Sequence, residues 1–176
     1  MSDSPELGRP AIVVTDASVL INFLRIDRID LIAGHSHTFL ATDHVASEVS
    51  DRYPNQQRRF ASALDSGALT LIPVAVTDEL RLFTSLSATG RLGAGECSAI
   101  AVAVQRGYTL AIDDRVANRL ARRFAPSLHI VTTQDLVVSM IRQHLLDIEE
   151  ADRMKHEWSA RHRFTLKLNS FQSLLS

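Results

Sequence analysis

Two apolar runs of this sequence end on aspartates. AIVVT (11–15) is followed by Asp16, and TLAI (109–112) is followed by Asp113 and Asp114. If both runs are strands of one parallel sheet, these carboxylates leave the sheet at its carboxyl edge, where open α/β proteins bind ligands. An Asp between a strand and a helix is also a common N-cap, because its side chain accepts free N–H groups of the first turn. For each Asp taken alone, both interpretations stay open.

Two glutamates lie on the apolar faces of predicted helices. Glu48 stands next to Val49 in the segment HVASEVSD, and Glu96 comes four residues before Ile100 in the most apolar helical segment of the chain. The helix dipole favours an acid in the first turn by about 0.3–1 kcal/mol, and a Glu at the edge of a helix is frequent. Neither explanation accounts for the small, apolar neighbours with which both glutamates share a helix face.

Convergence of these acids predicts a metal site. Two unit charges about 4 Å apart repel by about 4 kcal/mol at an effective dielectric constant of roughly 20, and a divalent cation removes that conflict. Carboxylate ligands without Cys or His favour a hard ion, Mg²⁺ or Mn²⁺, which also takes phosphate oxygens. Such an ion activates water and offsets negative charge during phosphodiester hydrolysis. The pattern therefore indicates a metal-dependent nuclease or phosphatase.

Five short β-rich runs, the two above among them, alternate with helical segments. The other three are TFLAT (38–42), LTLIPV (69–74) and LHIVTT (128–133). Strands separated by helices of this length predict right-handed βαβ units and a parallel sheet with helices on both faces. We therefore expect a three-layer α/β/α domain with a central parallel sheet of about five strands over residues 11–145. Residues 146–176 are predicted to form a charged helical extension that packs on the domain or on a partner.

Composition places the chain among soluble globular proteins. It has 176 residues, of which 45% are hydrophobic and 22% charged, and its net charge is −1. No apolar run reaches the roughly 18 residues that a membrane span needs. The N-terminal segment MSDSPELGRP lacks the order of a secretory signal, and the single cysteine, Cys97, cannot form an internal disulfide. We therefore expect a cytoplasmic protein without a membrane partner.

Other residue types give weaker patterns. His35 and His37 lie two apart, with no C-x-x-C or H-x-x-x-H motif, which indicates surface histidines rather than a zinc site. Cys97 has no evident His partner and is interpreted as a core residue. Gly93-Ala94-Gly95 lacks the Gly-Lys-Ser/Thr ending of a phosphate loop and is interpreted as a tight turn into the next helix.

Three segments together resemble a PIN domain: TDASVLINFL, HVASEVSD and LGAGECSAIAVAVQRGYTLAIDDRVANRLA. The resemblance covers roughly residues 11–145 and follows the order and approximate spacing of the four acids of that family. Its most specific part is the alanine-rich helix introduced by GAGE and followed by a strand and DDR. Within the family, the chain is similar to the VapC-like toxins of bacteria and archaea and to their uncharacterised relatives.

The resemblance implies a Mg²⁺- or Mn²⁺-dependent endoribonuclease, often the toxin of a toxin–antitoxin pair and usually a homodimer, with RNA and a small antitoxin protein as partners. Ser18 matches a small polar residue that supports the site, and Arg115 is a candidate contact for an RNA phosphate. Asp113 is a further candidate metal ligand, or an indirect contributor, or the helix cap. The acids carried over as catalytic and metal-binding residues are Asp16, Glu48, Glu96 and Asp114.

Two other functions remain open. Ala17 stands where this family commonly has Thr or Ser, and Ile112 stands where many members have Thr. Because these positions lie next to the proposed ligands, the second hypothesis is a PIN-like binding module without turnover. The third hypothesis is a metal-dependent phosphatase that acts on small molecules.

Overall fold

The predicted strands form one parallel sheet. The computed structural model of the protein describes residues 11–50 and 53–175, and the N-terminal segment considered above for a secretory signal lies outside them. Val13, Val14 and Thr15 are all buried; because successive side chains of a strand point to opposite faces, both faces of the sheet are covered. The predicted three-layer α/β fold is therefore confirmed. In the order β3-β2-β1-β4-β5, the strands are β1 (Ile12–Thr15), β2 (Thr38–Thr42), β3 (Thr70–Ile72), β4 (Thr109–Ala111) and β5 (Ile130–Val131).

Helices connect and cover these strands. Gly67, Gly90 and Gly107 adopt positive φ just after three of the helices, where a residue without a Cβ ends a helix most easily. The helices are α1 (Ala17–Arg25), α2 (Asp30–Gly34), α3 (Asp43–Ser50), α4 (Pro54–Asp65), α5 (Thr77–Ser87), α6 (Ala94–Arg106), α7 (Arg115–Phe124), α8 (Thr133–Arg142) and α9 (Ile148–His162), followed by a short 3₁₀ turn (Phe171–Leu174).

The C-terminal segment packs on the domain. Trp158 of α9 is fully buried, and its indole N–H donates to the backbone oxygen of Asn22 in α1 at 2.7 Å. Its ring meets the ring of Phe23 edge-on, with 5.8 Å between the centroids. Phe171 of the 3₁₀ turn is also buried. None of the helices described is both long and apolar enough to cross a lipid bilayer.

The strand order of the sheet reverses between β1 and β4. From β1 the chain adds β2 and then β3 on one side, and it returns to add β4 and β5 on the other. In open α/β sheets, ligands bind in the crevice beyond the carboxyl ends of the two strands at such a switch point. Asp16 follows β1 there, and its N–H donates to the backbone oxygen of Ala111, the last residue of β4, at 2.9 Å.

His35 is buried, so its interpretation as a surface histidine is wrong. Its exposed fraction is 6%. Its Nδ1 accepts the backbone N–H of His37 at 3.0 Å, and its Nε2 lies 3.0 Å from the hydroxyl of Ser139 in α8. Burial, with a smaller contribution from the charge of His37, lowers the pKa of His35 from 6.5 to about 4.

We expect acidification to destabilise the fold through His35. The unfolded chain takes up this proton near pH 6.5 and the folded chain only near pH 4, so the free energy of unfolding falls as the pH drops through this window. The contribution of His35 is at most about 3 kcal/mol. Denaturant unfolding at a series of pH values measures it. His35→Gln, which does not titrate, should flatten the dependence, and an unchanged slope in that variant would contradict the assignment.

Candidate metal centre

Asp16 caps α1 and is almost fully buried, with an exposed fraction of 2%. Its Oδ2 accepts the backbone N–H of Ser18 at 3.2 Å and also the hydroxyl of Ser18. Its Oδ1 is buried and receives no hydrogen bond from the described residues. Burial raises the pKa of Asp16, although the hydrogen bonds from Ser18 oppose that effect. Since a buried acceptor without a partner is unfavourable, Oδ1 is an atom that a bound cation would satisfy.

Glu48 reaches across from α3 to the first turn of α6. Glu48 is an exposed residue, but its Oε1 accepts the N–H of Gly95 at 2.7 Å. A Cβ added to Gly95 would lie 2.7 Å from the carboxylate carbon and from both oxygens of Glu48. Neither Gly93 nor Gly95 has a positive φ, so neither position needs glycine for its backbone conformation. Gly95 instead leaves the room that the carboxylate of Glu48 occupies.

Glu96 is the third residue of α6. Its Oε2 accepts the N–H of Gly93 at 2.9 Å, which satisfies a free donor at the start of the helix. Burial raises the pKa of Glu96, and the negative charges of three other acids raise it further: Asp16, Asp114 and Glu48. The fold therefore brings four acids from distant parts of the sequence close enough for their charges to interact.

Asp114 caps α7. Its Oδ1 accepts the N–H groups of Val116 and Ala117, both at 2.8 Å. Its side chain is exposed, as is that of Arg115, the first residue of α7. Asp114 and Arg115 thus lie side by side at the edge of the crevice.

Asp113 has a different environment. Its Oδ1 accepts the N–H of Thr133 at 2.8 Å, and its Oδ2 accepts the hydroxyl of Thr133 at 2.6 Å and the side-chain amide of Asn22 at 3.1 Å. Burial raises the pKa of Asp113, against the effect of the bonds from Thr133. Because both of its oxygens are engaged, Asp113 joins the end of β4 to α1 and α8. The sequence did not show which of the two aspartates caps the helix that follows them. The structure shows that it is Asp114.

The other four acids share one arrangement. In each, one carboxylate oxygen accepts a backbone N–H at the N-terminus of α1, α6 or α7. The second oxygen of each receives no hydrogen bond from the residues that the structure describes. Helix N-termini carry partial positive charge, which offsets part of the repulsion between the acids. Capping and site formation are therefore compatible: each acid is held by one oxygen and presents the other.

These open oxygens suit a hard cation that keeps part of its water shell better than a cation that protein ligands surround completely. Within residues 11–50 and 53–175, no three His, Cys, Asp or Glu side chains lie close enough together to hold a metal ion. Mg²⁺ keeps several of its waters and is usually bound by one or two carboxylates together with substrate phosphates, so it does not require such a cluster. Asp16 is the best-fitting ligand, because its buried Oδ1 lacks a partner among these residues.

Comparison with known proteins agrees with this fold. The profile of the PIN domain matches residues 12–161. Among solved structures, VapBC2 from Rickettsia felis, bound to a DNA fragment from their promoter, is 15% identical, with a TM-score of 0.48 over 69% of this chain and 98% of that one. A PilT N-terminus domain protein from the archaeon Sulfolobus solfataricus P2 is 15% identical, with a TM-score of 0.47 over 74% and 93%. No curated protein matches the chain. Both TM-scores are below 0.5, so membership of a family rests on the profile match.

Proposed function

Because this chain belongs to the PIN-domain family, whose members are generally nucleases, we propose that it is a divalent-metal-dependent endoribonuclease. The observation that carries the proposal is the set of four acids around the crevice at the switch point, each held by one oxygen and open at the other. A set of this kind without Cys or His ligands favours Mg²⁺ or Mn²⁺.

The metal ligands in this proposal are the open oxygens of Asp16, Glu48, Glu96 and Asp114. When bound there, such an ion would supply an activated water and would offset negative charge on an RNA phosphate. Ser18 fixes the carboxylate of Asp16 through its N–H and its hydroxyl. The N–H of Gly95 positions Glu48, and Arg115 is placed to contact a phosphate of the RNA.

We further propose that the nuclease is a toxin in the cytoplasm, acts as a homodimer and has a small protein antitoxin. The resemblance of its motifs to VapC-like toxins supports the toxin role. Leu71, Val76 and Leu80 are exposed apolar side chains around β3 and the start of α5, which favours a protein contact there. An adjoining reading frame for a small protein that co-purifies with this chain would support the pairing, and light scattering of the purified chain tests the dimer.

Substrate assays test the activity directly. We expect single-stranded RNA to be cleaved with Mg²⁺ or Mn²⁺ and left intact with EDTA, while a phosphate monoester is not hydrolysed. Hydrolysis of the monoester alone would favour the phosphatase. If neither substrate reacts and no metal binds, the binding module is favoured, which the apolar, buried Ala17 and Ile112 would then explain.

Metal binding should depend on pH. Burial raises the pKa values of Asp16 and Glu96 above 3.8 and 4.5, and protons compete with the metal for these oxygens. We therefore expect calorimetry to show tighter Mn²⁺ binding at about pH 7.5 than at about pH 5.5, together with a higher Tm when Mn²⁺ is present. Affinity that is independent of pH would argue against these two ligands.

A further inference from the structure

A cavity lies at the opposite end of α1 from the acids. Asp16 caps the start of this helix at the carboxyl edge of the sheet, and Arg25 ends it about 13 Å further along the helix axis. Arg25 lines a cavity of about 700 Å³ together with the N-terminus of α4 and the C-terminus of α9. A volume of this size is typical of small-ligand sites.

Positive charge dominates the lining of this cavity. No acidic residue is among the described residues that line it. Two of its arginines also donate hydrogen bonds to the backbone. Arg59 donates to the oxygen of Leu24 at 2.6 Å, and Arg25 donates to the oxygen of His162 at 3.3 Å. Burial and the charges of Arg25 and Arg161 lower the pKa of His162, although Glu157 opposes them. The four arginines of the lining are Arg25, Arg59, Arg161 and Arg163.

Arg161 and Arg163 are the arginines best placed to bind a ligand. Both are exposed, and among the residues that the structure describes Arg161 pairs only with Glu157, at 3.7 Å. Arg163 follows the last turn of α9 with a φ of 55°, a left-handed conformation that is uncommon outside glycine. The charge of Arg59, by contrast, is partly offset by Asp27 at 2.8 Å.

Uncharged groups in the lining suit a nucleotide. Tyr53 is 52% exposed, which leaves its ring free to stack on a base. Gln56 is only 6% exposed and places a polar side chain in the lining. Tyr53 comes directly before α4, and Gln56 lies in its first turn. This turn has no side-chain cap, so its N–H groups, to which Pro54 contributes none, are available to an anion. A site for acidic peptides would use the charge but not the aromatic ring.

We propose that this cavity binds a nucleotide of single-stranded RNA, with its phosphate on Arg161 and Arg163 and its base on Tyr53. The choice of RNA as the ligand rests on the proposed function. The cavity is a second RNA contact, separate from the acids. It would hold one nucleotide of a strand while the cleavage site, elsewhere on the same strand, lies at the acids.

Fluorescence anisotropy with a labelled single-stranded RNA, in EDTA to prevent cleavage, tests this site in the full chain. Arg161→Gln combined with Arg163→Gln should weaken binding at least about tenfold and reduce the slope of log K against log salt by about 0.7 for each lost phosphate contact. Tyr53→Leu should weaken binding about 5- to 150-fold and leave that slope unchanged.

Arg153→Gln is the matched control. Arg153 lies on α9 like Arg161 and pairs with an acid four residues earlier, Glu149, at 3.5 Å, but it lies outside this cavity. It should bind RNA like the wild type, and thermal melts should show that all variants are folded. Wild-type affinity in the double variant, or an equal loss in Arg153→Gln, would overturn the proposal. So would displacement of RNA by polyglutamate combined with wild-type binding by Tyr53→Leu, which would indicate an acidic peptide.

The same measurements separate this proposal from the nuclease activity. If the cavity variants lose RNA binding but the wild type cleaves no RNA with any metal, the nuclease proposal fails and the binding site stands. If the wild type cleaves RNA and the double variant binds it normally, the cavity proposal fails alone.

Discussion

Asp16→Asn is expected to abolish RNA cleavage and to leave the fold at least as stable as that of the wild type in the absence of metal. Asn caps helices about as well as Asp, so the bond from the N–H of Ser18 to residue 16 is retained. The substitution removes a negative charge that burial disfavours, as the raised pKa of Asp16 indicates. It also removes the proposed ligand with the unpartnered oxygen. We expect cleavage to fall by more than about 100-fold, the upper end of what losing a residue around metal ligands costs.

Three measurements check this expectation: RNA cleavage in Mg²⁺, calorimetric Mn²⁺ titration, and thermal unfolding in EDTA. The matched control is Asp113→Asn, because Asp113 also follows a central strand but has both oxygens engaged by Thr133 and Asn22. That variant should lose stability and keep metal binding. Cleavage by Asp16→Asn at the wild-type rate would rule out the mechanism, and loss of metal binding in Asp113→Asn alone would transfer the ligand role to Asp113.

Gly95→Ala is expected to reduce cleavage about 10- to 100-fold without destabilising the protein. The new Cβ would lie 2.7 Å from the carboxylate of Glu48, closer than non-bonded atoms approach, so the end of this flexible side chain must move. Gly95 lies inside α6 and has no positive φ, so Ala fits its backbone. Ala also favours a helix over Gly by about 0.5–1 kcal/mol. A single methyl group thus displaces a proposed ligand without deleting it.

A double-mutant cycle shows whether the effect acts through Glu48. In a Glu48→Ala background, the carboxylate is already absent, so adding Gly95→Ala should reduce cleavage no further. Cleavage rates and Mn²⁺ affinities of the two single variants and the double variant supply the cycle, and thermal melts test the expected stability. Additive losses in cleavage would mean that Gly95 acts independently of Glu48.

Local features allowed most of the fold to be predicted. Apolar runs of β-rich residues predicted all five strands, because a strand of this kind is indicated by residues that are near one another in sequence. The ends of the outer strands were less accurate: 69–74 is a strand only over Thr70–Ile72, and 128–133 only over Ile130–Val131. Both strands lie at the edges of the sheet, where each has one neighbour, and a strand extends only as far as that neighbour pairs with it.

Long-range contacts explain what sequence alone missed. His35 looked like a surface residue because nothing nearby in sequence indicates that it contacts Ser139, on α8. The sequence did not show why position 95 is a glycine, because Glu48, whose carboxylate needs the space, comes 47 residues earlier, on another helix. The arginines around the cavity come from separate parts of the sequence, and the ends of α1, α4 and α9 meet only in the folded chain.

By itself, the sequence determined the family, the parallel sheet and the identity of the acids at the ends of strands and the starts of helices, because these follow from residue types, periodicity and spacing. The tertiary structure decided how Asp113 and Asp114 divide their roles. Asp114 caps the helix that follows it and keeps one oxygen open. Asp113 is engaged by Thr133, 20 residues later, and by Asn22, 91 residues earlier. Two adjacent carboxylates have the same chemistry, and they differ only in the partners that folding brings to each of them. These partners make Asp114 a candidate ligand and Asp113 a residue that connects β4 to α1 and α8.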